Sequence, residues 1–421
     1  MIHRTREDRS KGNGPCSKVW HNPKTIAALL KHPRIPGKSV YVIGSGFSRP
    51  LDIPVIADFV PLGLNILKGN TSSDGKGWRE SKETIEKVIE IANDYRRKLT
   101  GVLDHEPTIE DLFCMADLLG GRGAKNKRGP TEQSKILAEF VRKVCALGYE
   151  RHEQSHSAQC RVPRAHFFGK CFQTPRAPEH YGSIDSSNCV GVCLYQAFLS
   201  QVLSEPHSYG PGFLYDRKQY AGPAIVSLNY DMVVEKKLET ITPNPTGQTK
   251  QCYYGYGVSR ESPDWDENQH CLPLIKLHGS VNWQRQCQCC VQTIGNWECK
   301  TAVNDPMIFP SWQRISLAGT VFAKLLDEAR IHLRLASRIV FIGYSLPPTD
   351  RYIRYLLADV LDTIELPEIE IANRWDDETA LRHVTDMMGS RIANKLSRNY
   401  SDGLIGLVKS KRDPSSIGNS A

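Results

Sequence analysis

Four short segments carry residue types that can do chemistry, and each follows an apolar, β-branched run. Gly44-Ser45-Gly46-Phe47-Ser48, with Asp52-Ile53-Pro54 behind it, follows Val40-Tyr41-Val42-Ile43. Glycines after a strand let the backbone approach a phosphate, and a following helix N-terminus adds N–H donors for an anion. A tight turn without ligand explains the same residues. Ser227-Leu228-Asn229-Tyr230-Asp231 places a carboxamide and a carboxylate two residues apart. Such a pair can hold a ribose hydroxyl or a water and stabilise positive charge on a sugar carbon; either residue can instead cap a helix starting near Met232. In Lys276-Leu277-His278-Gly279-Ser280-Val281-Asn282-Trp283 a histidine stands directly after a strand, beside a glycine that removes steric cover. It suits a general base titrating near neutrality, or else a satisfied structural histidine. In Gly343-Tyr344-Ser345-Leu346-Pro347-Pro348-Thr349-Asp350, Gly343 and Ser345 suit contact with a diphosphate or ribose. The two prolines predict a rigid turn into a helix bearing Tyr352, Tyr355, Leu356 and Leu357.

The elements that must position these segments are strands at 39–43, 224–228, 274–277, 338–342 and 369–371, continuous apolar runs separated by helical stretches. That pattern predicts an α/β fold, a doubly wound, Rossmann-like parallel sheet with both faces covered. Ligands of such sheets bind outside the carboxyl ends of the strands, so four distant loops should meet at one crevice. From about 60 to 210 the spacing turns helical: Ile85, Val88, Ile89 and Ala92 form one stripe, Ile109, Leu112, Phe113 and Ala116 a second, and Ile136, Leu137, Phe140, Val141 and Val144 a third. This region reads as a large helical insertion, with loops near Gly120-Gly121-Arg122-Gly123 and over about 150–190. The expected organisation is a basic arm over 1–38, a main domain over 39–375 with a Cys-bearing module at about 285–303, and a C-terminal helix with a disordered tail over 376–421.

Taken in order, these signatures resemble the sirtuin-like superfamily, and within it the divergent prokaryotic branch found in antiviral defence proteins. That family's pattern runs as a Gly-Ala-Gly-x-Ser loop, a Gly-Ile-Pro step, an Asn-x-Asp strand end, a Leu-His-Gly-Ser element and a late Gly-Tyr-Ser-Leu loop. Gly44, Gly46, Ser48, Ile53, Pro54, Asn229, Asp231, His278, Gly279, Ser280, Gly343 and Ser345 stand in those places, and Asn373 resembles a late ribose-contacting Asn. The resemblance implies binding of NAD as substrate and cleavage of its nicotinamide–ribose bond. Asn229 would orient water or a ribose hydroxyl, His278 would be the general base, and Asp231 would act on the electrostatics of the ribose. Gly44, Ser45, Gly46, Phe47 and Ser48 would serve the diphosphate, with Pro54, Gly343, Ser345 and Asn373 completing the site. Ser45 replaces the family's usual Ala. Deacylating sirtuins follow their Pro with Asp-Phe-Arg, whereas Pro54 leads to Val55-Ile56-Ala57-Asp58-Phe59-Val60. An NAD+ glycohydrolase is therefore the leading expectation; an NAD-dependent protein deacylase and a nucleotide-binding sensor without turnover are the alternatives.

Thirteen cysteines are expected to be thiols or metal ligands. Cys287-x-Cys289-Cys290 and Cys299 follow the His278 loop, where sirtuins carry a structural zinc module; a second CxxC pair is absent, so reduced thiols are the other reading. His152, His156 and Cys160, at i, i+4 and i+8, can line one helix face or lie in an unligated loop. The chain of 421 residues has 54 Lys+Arg, 46 Asp+Glu and a 40% hydrophobic content, the profile of a globular protein with ample core. Its basic excess lies in 1–40, with nine basic and two acidic residues, and in 121–180, with twelve and five. A nucleic-acid or other polyanion contact is one reading, and solvated segments lacking interleaved aromatics the other. No apolar run approaches the roughly 20 residues of a bilayer span, and no apolar stretch before Val40 suggests a secretory signal, so a cytoplasmic location is expected. An NAD hydrolase would deplete its own cell, which implies control by a homo-oligomer interface, a regulatory protein or the helical insertion.

Overall fold

The computed structural model describes residues 27–28, 30–51, 53–55, 58–68, 76–99, 107–120, 131–159, 188–203, 205, 222–241, 252–253, 258–259, 272–285, 291–293, 321–346 and 350–410. Strand β1 (Ile35–Ile43) is the centre of the sheet, and Val40 to Ile43 are all buried because helices cover both faces. β2 (Ala224–Ser227) pairs with one edge of β1 and continues to β5 (Leu272–Lys276), while the two-residue β3 (Cys252–Tyr253) closes that side. On the other edge follow β8 (Ala336–Ile342), β9 (Glu368–Ala372) and β10 (Leu396–Asn399). Every pairing in this sheet of seven strands is parallel. The order β10-β9-β8-β1-β2-β5-β3 runs outward from β1 in one direction and then the other, the doubly wound arrangement that the apolar runs predict. β4 (Val258–Ser259), β6 (Trp283–Arg285) and β7 (Val291–Thr293) form a separate small sheet.

Between β1 and β2 lie α1 (Phe59–Lys68), α2 (Lys76–Leu99), α3 (Ile109–Gly120), α4 (Glu132–Gln159) and α5 (Asn188–Leu203). The helical stripes read from the sequence face inward: Val88, Leu112, Phe113, Phe140 and Val144 share one hydrophobic cluster with Val42 and Phe341 of the sheet. α6 (Val233–Ile241) follows β2, α7 (Val321–Leu335) precedes β8, and α8 (Arg351–Leu361) joins β8 to β9. α9 (Asp377–Met388), α10 (Ser390–Ala393) and α11 (Leu404–Ser410) complete the chain order. Among the described residues no helix is long and apolar enough to cross a membrane.

Three boundaries differ from the sequence reading. The arm does not extend to residue 38: β1 starts at Ile35, and the Arg34 guanidinium donates to the carbonyls of Leu333, Arg334 and Ala336 at 3.2, 3.1 and 2.7 Å. The irregular pairing between Ile35 and Ser39, with Gly37 at φ +76°, interrupts the apolar run by which a strand is recognised. Residues beyond 375 are not merely a helix and a tail. β10 extends the sheet as a half-exposed edge strand, and α11 buries Leu404, Ile405, Leu407 and Val408 where the polar composition suggested disorder. Both ends of the loop expected over about 150–190 are helical, since α4 runs through His152 and His156 to Gln159 and α5 opens at Asn188; residues 160–187, Cys160 among them, lie outside the described residues.

Candidate functional site

The four chemistry-bearing segments leave the carboxyl ends of adjacent strands, and the ladder continues one step past each strand. Gly44 N–H donates to Ile342 O at 3.0 Å, Leu228 N–H to Ile43 O at 2.9 Å, Leu277 N–H to Ser227 O at 2.9 Å, and Gly343 N–H to Ala372 O at 3.1 Å. The loops after β1, β2, β5, β8 and β9 therefore stand level, around the β1–β8 junction where the strand order reverses.

At that junction the glycines do a specific job. Gly46 N–H donates to Gly343 O at 2.8 Å, and a Cβ built on Gly343, whose φ is +60°, would lie 2.1 Å from Phe47 N. The missing side chains let one loop pass directly over the other. The backbone donors of Gly44, Gly46, Phe47 and Ser48 all have acceptors inside the protein, the last two through Gly44 O and Ser45 O at 2.9 and 3.2 Å. The helix expected to follow these glycines is also replaced, by two single 3₁₀ turns, Ser45–Phe47 and Arg49–Leu51, before α1 begins at Phe59. Pro50 and Pro54 lack N–H donors and keep a helix from propagating. Phe47 is a core residue: its ring meets Tyr195 edge-on at 4.9 Å and Phe198 at 5.8 Å. Pro54 is buried, and Asp52 lies outside the described residues.

Asn229 is oriented by its neighbours. Its Nδ2 donates to Gly44 O at 2.9 Å and to Ser48 Oγ at 3.0 Å, which engages both amide hydrogens and leaves Oδ1 to accept from a water or a hydroxyl. Ser48, fully buried, passes the chain on, its hydroxyl donating to Asp231 Oδ2 at 2.7 Å. Asp231 Oδ1 accepts from Val233 N at 3.0 Å, a turn that starts α6. The capping reading thus holds for Asp231 at the helix start, while Asn229 stands at the carboxyl end of β2, bonded to the Gly44 and Ser48 loop. Asp231 has both carboxylate oxygens bonded within the protein, so it acts on Asn229 through Ser48. Its charge is felt by α4 and α5: burial first, then Asp231, pushes the Cys145 thiol and the Tyr195 hydroxyl well up.

His278 is 7% exposed, and its Nδ1 faces Leu228 O at 2.9 Å. A carbonyl oxygen only accepts, so Nδ1 carries the proton and Nε2 is the basic nitrogen. The β2–β5 register pairs Ser227 with Lys276, so the loops carrying Asn229 and His278 leave neighbouring strands, and the imidazole meets the Asn229 loop at Leu228 O. The Tyr230 ring stands 5.9 Å from the imidazole. On the far side of β1, Ser345 is exposed and Asn373 donates from Nδ2 to Tyr344 O at 2.7 Å, tying the β9 loop to the β8 loop. The structure thus gathers Gly44, Ser45, Gly46, Ser48, Asn229, His278, Gly343, Ser345 and Asn373 at one sheet end. Cys287, Cys289, Cys290 and Cys299 lie outside the described residues.

Sequence reasoning assigned no role to Lys276, Glu235 or Tyr195. Lys276 ends a strand buried along its whole length, and its ammonium sits 2.9 Å from Glu235 Oε1. Burial pushes the Glu235 carboxyl up, opposed by the Lys276 charge. The signal available was a lysine inside an apolar run. Tyr195 donates from its hydroxyl to Phe47 O, so α5 supports the glycine loop from below. A cavity of about 380 Å³ beside Lys31, Arg330, Arg334 and Asp359 lies at the opposite, amino end of the strands and touches none of these residues. No protein-family model matches the chain, and no curated protein matches it.

Proposed function

We propose that the protein is an NAD+ glycohydrolase that releases nicotinamide and ADP-ribose, in the antiviral defence setting that its sirtuin-like signatures imply. The observation that carries the reading is the pairing of an Asn229 carboxamide, fixed with Oδ1 as its remaining acceptor, with a His278 imidazole whose Nε2 is the basic nitrogen. The bond from nicotinamide N1 to the ribose anomeric carbon breaks, and its electron pair stays on the nicotinamide ring. Asn229 orients the water, whose oxygen bonds to the anomeric carbon while His278 Nε2 takes its proton. Exposed Ser345 and the neighbouring Asn373 serve the ribose and diphosphate. Glycine-loop contact with the diphosphate falls to Ser45, because the other donors of that loop already have partners.

Incubating the full chain with NAD+, with and without an acetyl-lysine peptide, and quantifying nicotinamide, ADP-ribose and O-acetyl-ADP-ribose tests this. Equal amounts of nicotinamide and ADP-ribose are expected without peptide, and His278→Ala should slow release by about 10²–10⁴-fold. Turnover only with the peptide, yielding O-acetyl-ADP-ribose, identifies a deacylase instead. Tight NAD+ binding without release identifies a sensor, and an unchanged rate in the His278 variant removes the base.

A further inference from the structure

The Asn229 and His278 loops are joined by more than the sheet ladder. Val281 N–H donates to Tyr230 O at 3.0 Å, Ser280 Oγ to the same carbonyl at 3.3 Å, and His278 Nδ1 to Leu228 O. Beneath them Lys276, 1% exposed, points its ammonium at the seam. Its three protons have three acceptors on three elements: Asp231 O on the Asn229 loop, Ser280 Oγ at 2.9 Å on the His278 loop, and Glu235 Oε1 at 2.9 Å on α6.

A buried ion pair is weak evidence for stability, because desolvating two charges consumes most of what their attraction returns, and apolar replacements are often neutral. Its better-attested use is to fix one geometry among several. We propose that Lys276 is a positioning residue, whose ammonium locks the His278 loop to the Asn229 loop and thereby sets where the imidazole stands relative to the carboxamide. The turnover arm of its test rests on the glycohydrolase reading; the imidazole arm does not.

Removing Lys276 alone strands the Glu235 carboxyl, so the informative variant is Lys276→Met combined with Glu235→Leu, alongside the milder Ser280→Ala, which cuts the link from Lys276 to the His278 loop and leaves the ion pair. In the full chain with ¹⁵N-labelled histidine, the His278 resonances, assigned by His278→Ala, are followed through a pH titration, together with kcat and KM for NAD+. The expected result is a double variant with wild-type circular dichroism, a His278 titration midpoint moved by more than half a pH unit, and a kcat lower by about 10²-fold with KM within about threefold. Ser280→Ala should move the midpoint in the same direction and less far, and it decides alone if the double variant does not fold. An unmoved midpoint with unchanged kcat in a folded variant overturns the proposal. If the wild type releases no nicotinamide, the hydrolase reading falls while the imidazole titration still decides the role of Lys276.

Discussion

Ser48 is a small, fully buried side chain that links two of the site's polar residues. It accepts from Asn229 and donates to Asp231, so the carboxamide at the crevice and the carboxylate at the start of α6 share one hydroxyl. Ser48→Ala leaves a buried amide hydrogen and a buried carboxylate oxygen without their partner, at a cost of about 1–3 kcal/mol. Urea denaturation should show a lowered midpoint, and nicotinamide release should fall more than NAD+ affinity; an unchanged midpoint would mean that the relay carries no weight. The candidate residues Asn229, Asp231 and His278 were legible because polar groups after apolar strands are conspicuous. Their bonding was not, since Ser48, 181 positions away from Asn229, takes up a hydrogen of the carboxamide and donates to the carboxylate. The packing of Phe47 was hidden for a related reason: ring contact with Tyr195 joins distant segments, and spacing within the loop holds no trace of it.

Among the elements, the crossing of the β1 and β8 loops is the tightest constraint. Gly343 combines φ +60° with a backbone atom 2.1 Å from where a Cβ would stand, so Gly343→Ala cannot be absorbed by a side-chain shift. Loss of more than about 2 kcal/mol is expected by denaturant unfolding; a variant as stable as wild type would show that the two loops do not interlock. β2, β5, β8, β9 and the part of β1 from Ser39 onward were legible as short, largely apolar runs, while the start of β1 at Ile35 was not. β10 was not, because an edge strand exposed on one side carries half the apolar signal, and Leu396-Ser397-Arg398-Asn399 reads as polar chain. α7 meets the sheet through another hidden contact: Lys38 Nζ donates to Gly222 O at 2.6 Å and faces His332 Nδ1 at 3.2 Å. Burial pushes this lysine down to about 7, with the charge of Glu205 opposing, and His332 is held well below the usual histidine range by burial and then by Lys38. The folded value lies below the unfolded one, so unfolding takes up a proton between them. Stability from this group is present above the ordinary lysine value of 10.5 and is lost as pH falls toward about 7. Urea midpoints should therefore rise across that window in the wild type and stay flatter in Lys38→Met; parallel profiles would contradict it.

At the scale of the whole molecule, the helices between β1 and β2 are part of the machinery's support and share its core. α4 brings Cys145 and α5 brings Tyr195 against the Asp231 and Phe47 loops, inside the same hydrophobic cluster as the sheet. The doubly wound order was legible because alternating strands and helices permit few parallel arrangements, and it places Gly44, Asn229, His278, Gly343 and Asn373 at the sheet's carboxyl end. The proposal that rests on this arrangement is that the end of this sheet holds NAD+ and opens its glycosidic bond. The most direct test measures NAD+ binding and nicotinamide release on the same samples of wild type and Asn229→Ala. Wild type should bind NAD+ and release nicotinamide and ADP-ribose in equal amounts, with the variant retaining affinity within several-fold and losing about 10²-fold or more in rate. Absence of NAD+ binding by the wild type, or equal rates in the two proteins, would contradict the account.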